Sequence, residues 1–150
     1  MTTNSDPSSS TGQPNDSLVR TAVDGLFAAR LAGATPEELT ERFHENADWF
    51  IQGDTSALPW IGRKVGRAEI ADHFAQHGQS TRPEAFEIDT IMTDGNRAVV
   101  LGTFVIRMLA TDRVAESEYA FDITVDDSGL ITRYHMLEDS WAFSEAARPQ

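Results

Sequence analysis

The chain has 150 residues, 40 % of them hydrophobic, which fits one domain with a substantial core. Its formal net charge of −12 argues against nucleic acid, which recruits clustered cations, and against an anionic membrane surface. The absence of cysteine excludes disulfides, thiolate metal sites and a cysteine nucleophile, and suits a cytoplasmic protein.

The opening stretch is rich in Ser, Thr, Asn, Gly and Pro and lacks the basic and apolar regions of a signal peptide. Residues 1–16 therefore read as a flexible tail, and residues 17–147 as one domain. "DSLVRTAVDGLFAARLAG" reads as a first helix, with Leu18, Ala22, Leu26 and Phe27 in an apolar stripe and Gly33 at its end. "TPEELTERFH" is a second, short helix. Thr35 caps it, Pro36 takes the first turn and Glu38 completes a capping box. "ADWFIQ" has the aromatic and β-branched content of a strand. "GDTSALPWIGRKVG" reads as a loop, yet Trp60 is too large and apolar to stay in water. "RAEIADHFAQHG" is a third helix, with Ile70 and Phe74 four apart.

The rest is β. "EAFEIDTIMTDGN" runs into a tight turn at Asp94-Gly95. "RAVVLGTFVIRMLA" is almost wholly apolar, the pattern of a strand buried on both faces. "RVAESEYAFDITV" alternates, with Tyr119 and Phe121 on one face. "DDSG" turns the chain into "ITRYHMLEDS", and "SWAFSEA" reads as a short terminal helix. Four strands joined by tight turns predict an antiparallel meander, with the helices on one face. The expectation is an α+β cone, a curved antiparallel sheet roofed by three N-terminal helices around an apolar cavity.

This order resembles the NTF2-like fold. "DWFIQGD…LPWIGRKVGRAEIADHF" and the closing meander are similar to SnoaL-like proteins over roughly residues 18 to 147. That family includes polyketide cyclases, ketosteroid isomerases, epoxide hydrolases and binding proteins, so the resemblance implies a fold rather than one activity. The three polar groups of the ketosteroid isomerases fall on Ile51, Phe27 and Phe121. The acid of limonene-type hydrolases and SnoaL-type cyclases falls on Met136, and the hydrolase Arg-x-Asp pair meets Phe104 and Ile106. None of those polar groups is present.

The same alignment turns Tyr134, Met136 and Glu138 toward the cavity, and His135, Leu137 and Asp139 away from it. A slip of one residue would reverse this and make His135 and Asp139 the pocket pair. The wall is expected to include Phe27 from the first helix, Trp49 and Ile51 from the first strand, and Trp60 from the loop. Phe74, Phe104, Tyr119 and Phe121 complete it. A carboxyl in such surroundings resists ionisation, so Glu138 becomes the candidate acid or base, assisted by His73, Tyr119 or Tyr134.

Competing readings stand beside these. Asp139 precedes "SWAFSEA" and suits a helix cap, and Asp54 suits a turn. Glu69, His73 and His77 are spaced for one helical face, yet no further metal ligand follows them, and neither metal nor cofactor is implied. Three functions are open. One is a cyclase or isomerase for a hydrophobic polyketide- or terpenoid-like intermediate, with epoxide opening as one route. The second is a non-catalytic small-molecule carrier, and the third is an assembly module with a filled cone. Cone proteins of this kind commonly pair through the exposed sheet face. Phe86, Ile88, Ala120 and His135 are the expected homodimer contacts.

Overall fold

The structure is a computed structural model and describes residues 13–149. Helix α1 spans Gln13–Leu31, so it begins inside the stretch assigned to the tail; the rest of that stretch lies outside the described residues. Helix α2 spans Pro36–Thr40, and its capping box is formed as the sequence requires. The Glu38 N–H donates to Thr35 Oγ1 at 3.1 Å, and the Thr35 N–H donates to Glu38 Oε1 at 2.8 Å.

Six strands follow: β1 (Phe43–Ile51), β2 (Gly62–Val65), β3 (Thr81–Asp94), β4 (Arg97–Met108), β5 (Arg113–Val125) and β6 (Ile131–Glu138). Helix α3 (Arg67–Ser80) lies between β2 and β3, and α4 (Ser140–Ala147) closes the chain. The sheet order is β2-β1-β6-β5-β4-β3. The meander β3–β6 is antiparallel, but β1 joins β6 in parallel, so the sheet is mixed. Strand β2 lies in the stretch read as loop, where its four residues pair with Asp48–Ile51. No helix among the described residues is long and apolar enough to cross a membrane.

Bulges at Pro83/Ala85 and Ile88/Thr90 bend β3 and help curl the sheet. Helices α1 and α3 fill the concave side. Val19, Val23, Leu26 and Ile70 are fully buried there against Val100, Ile123 and Ile131. Strand β4 is not buried on both faces. Val100, Phe104 and Ile106 are buried on the concave side, whereas Val99, Leu101 and Val105 are half-buried, because the helices cover one face only.

Two of the expected dimer contacts change sides. Phe86 pairs with Phe104 and Ile88 with Gly102, which puts both on the concave register. Phe86 stacks on Tyr119 at 5.3 Å and meets Phe27 at 5.4 Å. Ala120 and His135, paired with Leu101 and Asp122, are on the convex face.

Gly102 pairs with Ile88 of β3 and Tyr119 of β5. The Tyr119 hydroxyl passes over it and donates to the Glu87 carbonyl at 2.7 Å. A Cβ on Gly102 would lie 2.0 Å from that carbonyl oxygen and 2.4 Å from the hydroxyl. Gly78, near the end of α3, has nothing within 4 Å of its added Cβ. Gly102→Ala should therefore destabilise by at least about 1–3 kcal/mol through overpacking. Gly78→Ala should be neutral or stabilising by up to about 1 kcal/mol through helix propensity. Urea denaturation of the two variants checks this contrast.

Candidate functional site

The last two strands set the site. Phe121 pairs with Met136, Ile123 with Tyr134, and Tyr119 with Glu138. Tyr134, Met136 and Glu138 line a cavity of about 530 Å³ between the sheet, α1 and α3. The alternative register, with His135 and Asp139 inward, is excluded. His135 Nε2 lies 3.0 Å from Asp48 Oδ2 on the convex face. Asp139 caps α4, accepting the Ala142 N–H at 3.1 Å.

The apolar wall includes Phe27, Ile51, Trp60, Phe74, Phe104, Phe121 and Met136. Trp49 and Tyr119 are not in it. Trp49 is fully buried behind Tyr134, their rings stacked at 6.1 Å, so Tyr134 separates it from the cavity. Tyr119 is held away by Phe86 above its ring and by its bond to Glu87.

Trp60 owes its burial to helix α3. The His73 Nδ1 lies 2.8 Å from the Trp60 carbonyl oxygen. A carbonyl only accepts, so Nδ1 carries the proton and Nε2 the lone pair. Burial holds His73 well below the usual imidazole range, helped by the nearby His77. Burial and Arg30 push His77 down to about 3. Both rings line the cavity and are neutral at pH 7. The helix spacing did bring them together, but not as a metal face: Glu69 Oε1 turns back to accept the Val65 N–H at 2.9 Å. Among the described residues no three His, Cys, Asp or Glu are clustered to hold a metal ion. Asp54 is a turn residue whose Oδ1 accepts the Ser56 N–H at 2.9 Å, with Arg148 on its other oxygen.

Among the described residues Glu138 has no ion-pair partner, unlike three carboxylates of the sheet. Asp48, Glu84 and Asp122 are paired with arginines. Glu138 is half-buried at the cavity wall, and the influences acting on it, burial first and the Asp139 charge second, both favour the neutral form. Its carboxyl is pushed up to about 7.

The matching family is described as a SnoaL-like domain, and the match spans residues 23–134. The chain belongs to this SnoaL-like family. Comparison with curated proteins gives no match. An NTF2-like protein from Burkholderia xenovorans is similar in structure at 22 % identity, with a TM-score of 0.73 over 91 % of this chain and 97 % of that one. A candidate isomerase from Bacillus subtilis shares 19 % identity, with a TM-score of 0.74 over 88 % and 94 %. TerC, co-crystallised with polyporic acid, shares 23 %, with a TM-score of 0.72 over 89 % and 98 %. At these identities the likeness carries the fold. In this SnoaL-like chain, Ile51, Phe27, Phe121 and Met136 form part of the apolar wall.

Sequence reasoning missed the polar cavity residues Gln79 and Thr81 and the one cation of the wall, Arg30. It follows Leu26 by four and Phe27 by three, so it shares their helix face. That spacing was the available signal. Its guanidinium sits 5.4 Å from the centre of the Phe74 ring and beside the Tyr134 hydroxyl. Burial pushes Tyr134 up to about 12, so its hydroxyl stays neutral.

These shifts make stability depend on pH. A carboxyl raised from 4.5 to about 7 adds stability that is fully present below pH 4.5 and lost as pH rises through 7. The buried histidines act oppositely, losing stability as pH falls below 6.5. Glu138→Gln removes only the first effect. Between pH 4.5 and 7, the stability of Glu138→Gln relative to the parent should rise by up to about 3 kcal/mol and then level off. Urea midpoints across that range measure it. A constant difference between the two proteins would show an unshifted carboxyl.

Proposed function

We propose that this SnoaL-like chain cyclises or isomerises a hydrophobic polyketide- or terpenoid-like intermediate, with Glu138 as its general acid. The observation that carries the reading is a carboxyl with no counter-ion among the described residues, at the wall of an apolar cavity and poised near neutral pH. The ligand's reacting oxygen, in an epoxide or a carbonyl, would take the Glu138 proton. In an epoxide the C–O bond then breaks as an internal nucleophile closes the ring. The proton lost by that nucleophile returns to the Glu138 carboxylate and restores the acid. One such group contributes about 10²–10⁴-fold in rate, and holding a flexible chain in its reactive fold adds more.

Tyr134 and His73 support this in different ways. The Tyr134 hydroxyl keeps its proton and can donate a hydrogen bond to a developing oxyanion. His73 is a poor proton acceptor at neutral pH, because burial disfavours its cation. Its Nε2 suits accepting a hydrogen bond from a ligand hydroxyl.

A second reading is a non-catalytic carrier. Ile51, Phe27 and Phe121 favour it, since they leave the cavity without the acid, base and hydroxyl of the steroid isomerases. Turnover separates the two. Hydrophobic epoxides and polyketones incubated with the protein and followed by mass spectrometry should yield cyclised or isomerised product, with kcat/KM falling above about pH 7. Glu138→Gln should lower kcat by about 10²–10⁴-fold while an unreactive analogue keeps its Kd. Ligands bound and returned unchanged would establish the carrier.

Two copies are proposed to pair through the convex face, where Ala120 and His135 lie beside the half-buried Val99, Leu101 and Val105. Sedimentation should give twice the 16.5 kDa chain mass, and a value of one chain mass would remove the dimer.

A further inference from the structure

Among the residues lining the cavity, Arg30 is the one basic side chain with a permanent charge. Six other arginines, at positions 63, 82, 97, 107, 133 and 148, form ion pairs with carboxylates on the surface. Among the described residues Arg30 has none; Arg20, Arg42, Arg67 and Arg113 also lack one, but they do not line the cavity. A cation held against apolar surface is costly unless it is hydrated or paired. The end of α1 offsets part of that cost, because the helix dipole favours a positive charge in its last turn, and the Phe74 ring offsets more. Neither contact uses the five-donor fork of the guanidinium, and the neighbouring Tyr134 hydroxyl takes up only part of it.

From this placement we infer that the cavity recognises an anionic ligand, and that Arg30 binds its planar, two-oxygen anion. The chemistry is shared by a carboxylate and by an ionised enol conjugated to a carbonyl, since both spread one negative charge over two oxygens that a guanidinium meets side-on. The inference rests on the cavity being a small-molecule site, as proposed above, and adds the charge of that molecule.

Arg30, Tyr134 and Glu138 all line the same cavity, so an anion held at Arg30 shares that cavity with the carboxyl.

Calorimetry with three probes of similar shape tests this at pH 6, where Glu138 is largely protonated. The probes are 2-naphthoate, the neutral 2-naphthamide, and ionised 2-hydroxy-1,4-naphthoquinone. At least one anion should bind about tenfold or more tightly than the amide, and the anion that does so identifies the source of the charge. In Arg30→Gln and Arg30→Met that preference should fall below about threefold, while the amide keeps its affinity. Retained amide binding also shows that each variant has folded. Equal affinity for anions and amide, or a preference that survives both substitutions, overturns the role of Arg30 and leaves the cavity reading intact. Failure of all three probes to bind overturns the small-molecule site and the inference with it.

Discussion

The pairing of Phe121 with Met136 decides which side chains share the cavity. Because side chains alternate, a slip of one residue would send Tyr134 and Glu138 to the convex face and bring His135 and Asp139 in. Three features hold the register. The turn before β6 is fixed by Asp126, whose Oδ1 accepts N–H groups from Ser128 at 2.9 Å and Leu130 at 3.0 Å. The parallel partner β1 matches Trp49 to Tyr134 and Ile51 to Met136. Beyond the strand, the Asp139 N–H donates to Ser117 Oγ at 2.8 Å, so β6 is tied at both ends.

With that register in place, the electrostatics of the cavity follow from where water is excluded. The chain carries a large negative charge, yet its paired carboxylates sit at the surface and their pKa values are lowered. Inside the cone the sign reverses. Glu138 is driven toward its neutral acid, His73 and His77 toward neutral bases, and Tyr134 keeps its proton. Only Arg30 cannot neutralise itself. The cavity therefore carries a net positive charge inside an acidic protein, which is an unusual place for an apolar neutral ligand to select.

Much of this was legible in the sequence. The capping box at Thr35 and Glu38, the cap at Asp139 and the burial of Trp60 each rest on local chemistry that few alternatives satisfy. The inward face of β6 was legible through the family resemblance, which supplied a register that periodicity alone leaves open. What escaped notice depends on distant partners. Strand β2 is four residues that begin at Gly62 and stop before Gly66, and it becomes a strand only because β1 offers an edge. The facing of Phe86 and Ile88 depends on the bulge between Ile88 and Thr90, which no residue pattern announces. Trp49 and Tyr119 share the concave register, but curvature and a stacked neighbour put each behind the wall.

Arg30 shows why a charged residue on an apolar helix face deserves a different prior from one on a polar face. A solvent-facing arginine is free to find any carboxylate, and this surface offers many. Arg30 shares the face of Leu26 and Phe27, and α1 lies across the concave sheet, so packing those two residues commits Arg30 to the cavity rim. Moving it out would expose Phe27, which touches both Phe86 and Phe121. The hydrophobic contacts that close the cone thus also hold the cation in place. The fold contributes the wall, and the one helical residue out of pattern gives that wall a charge to recognise.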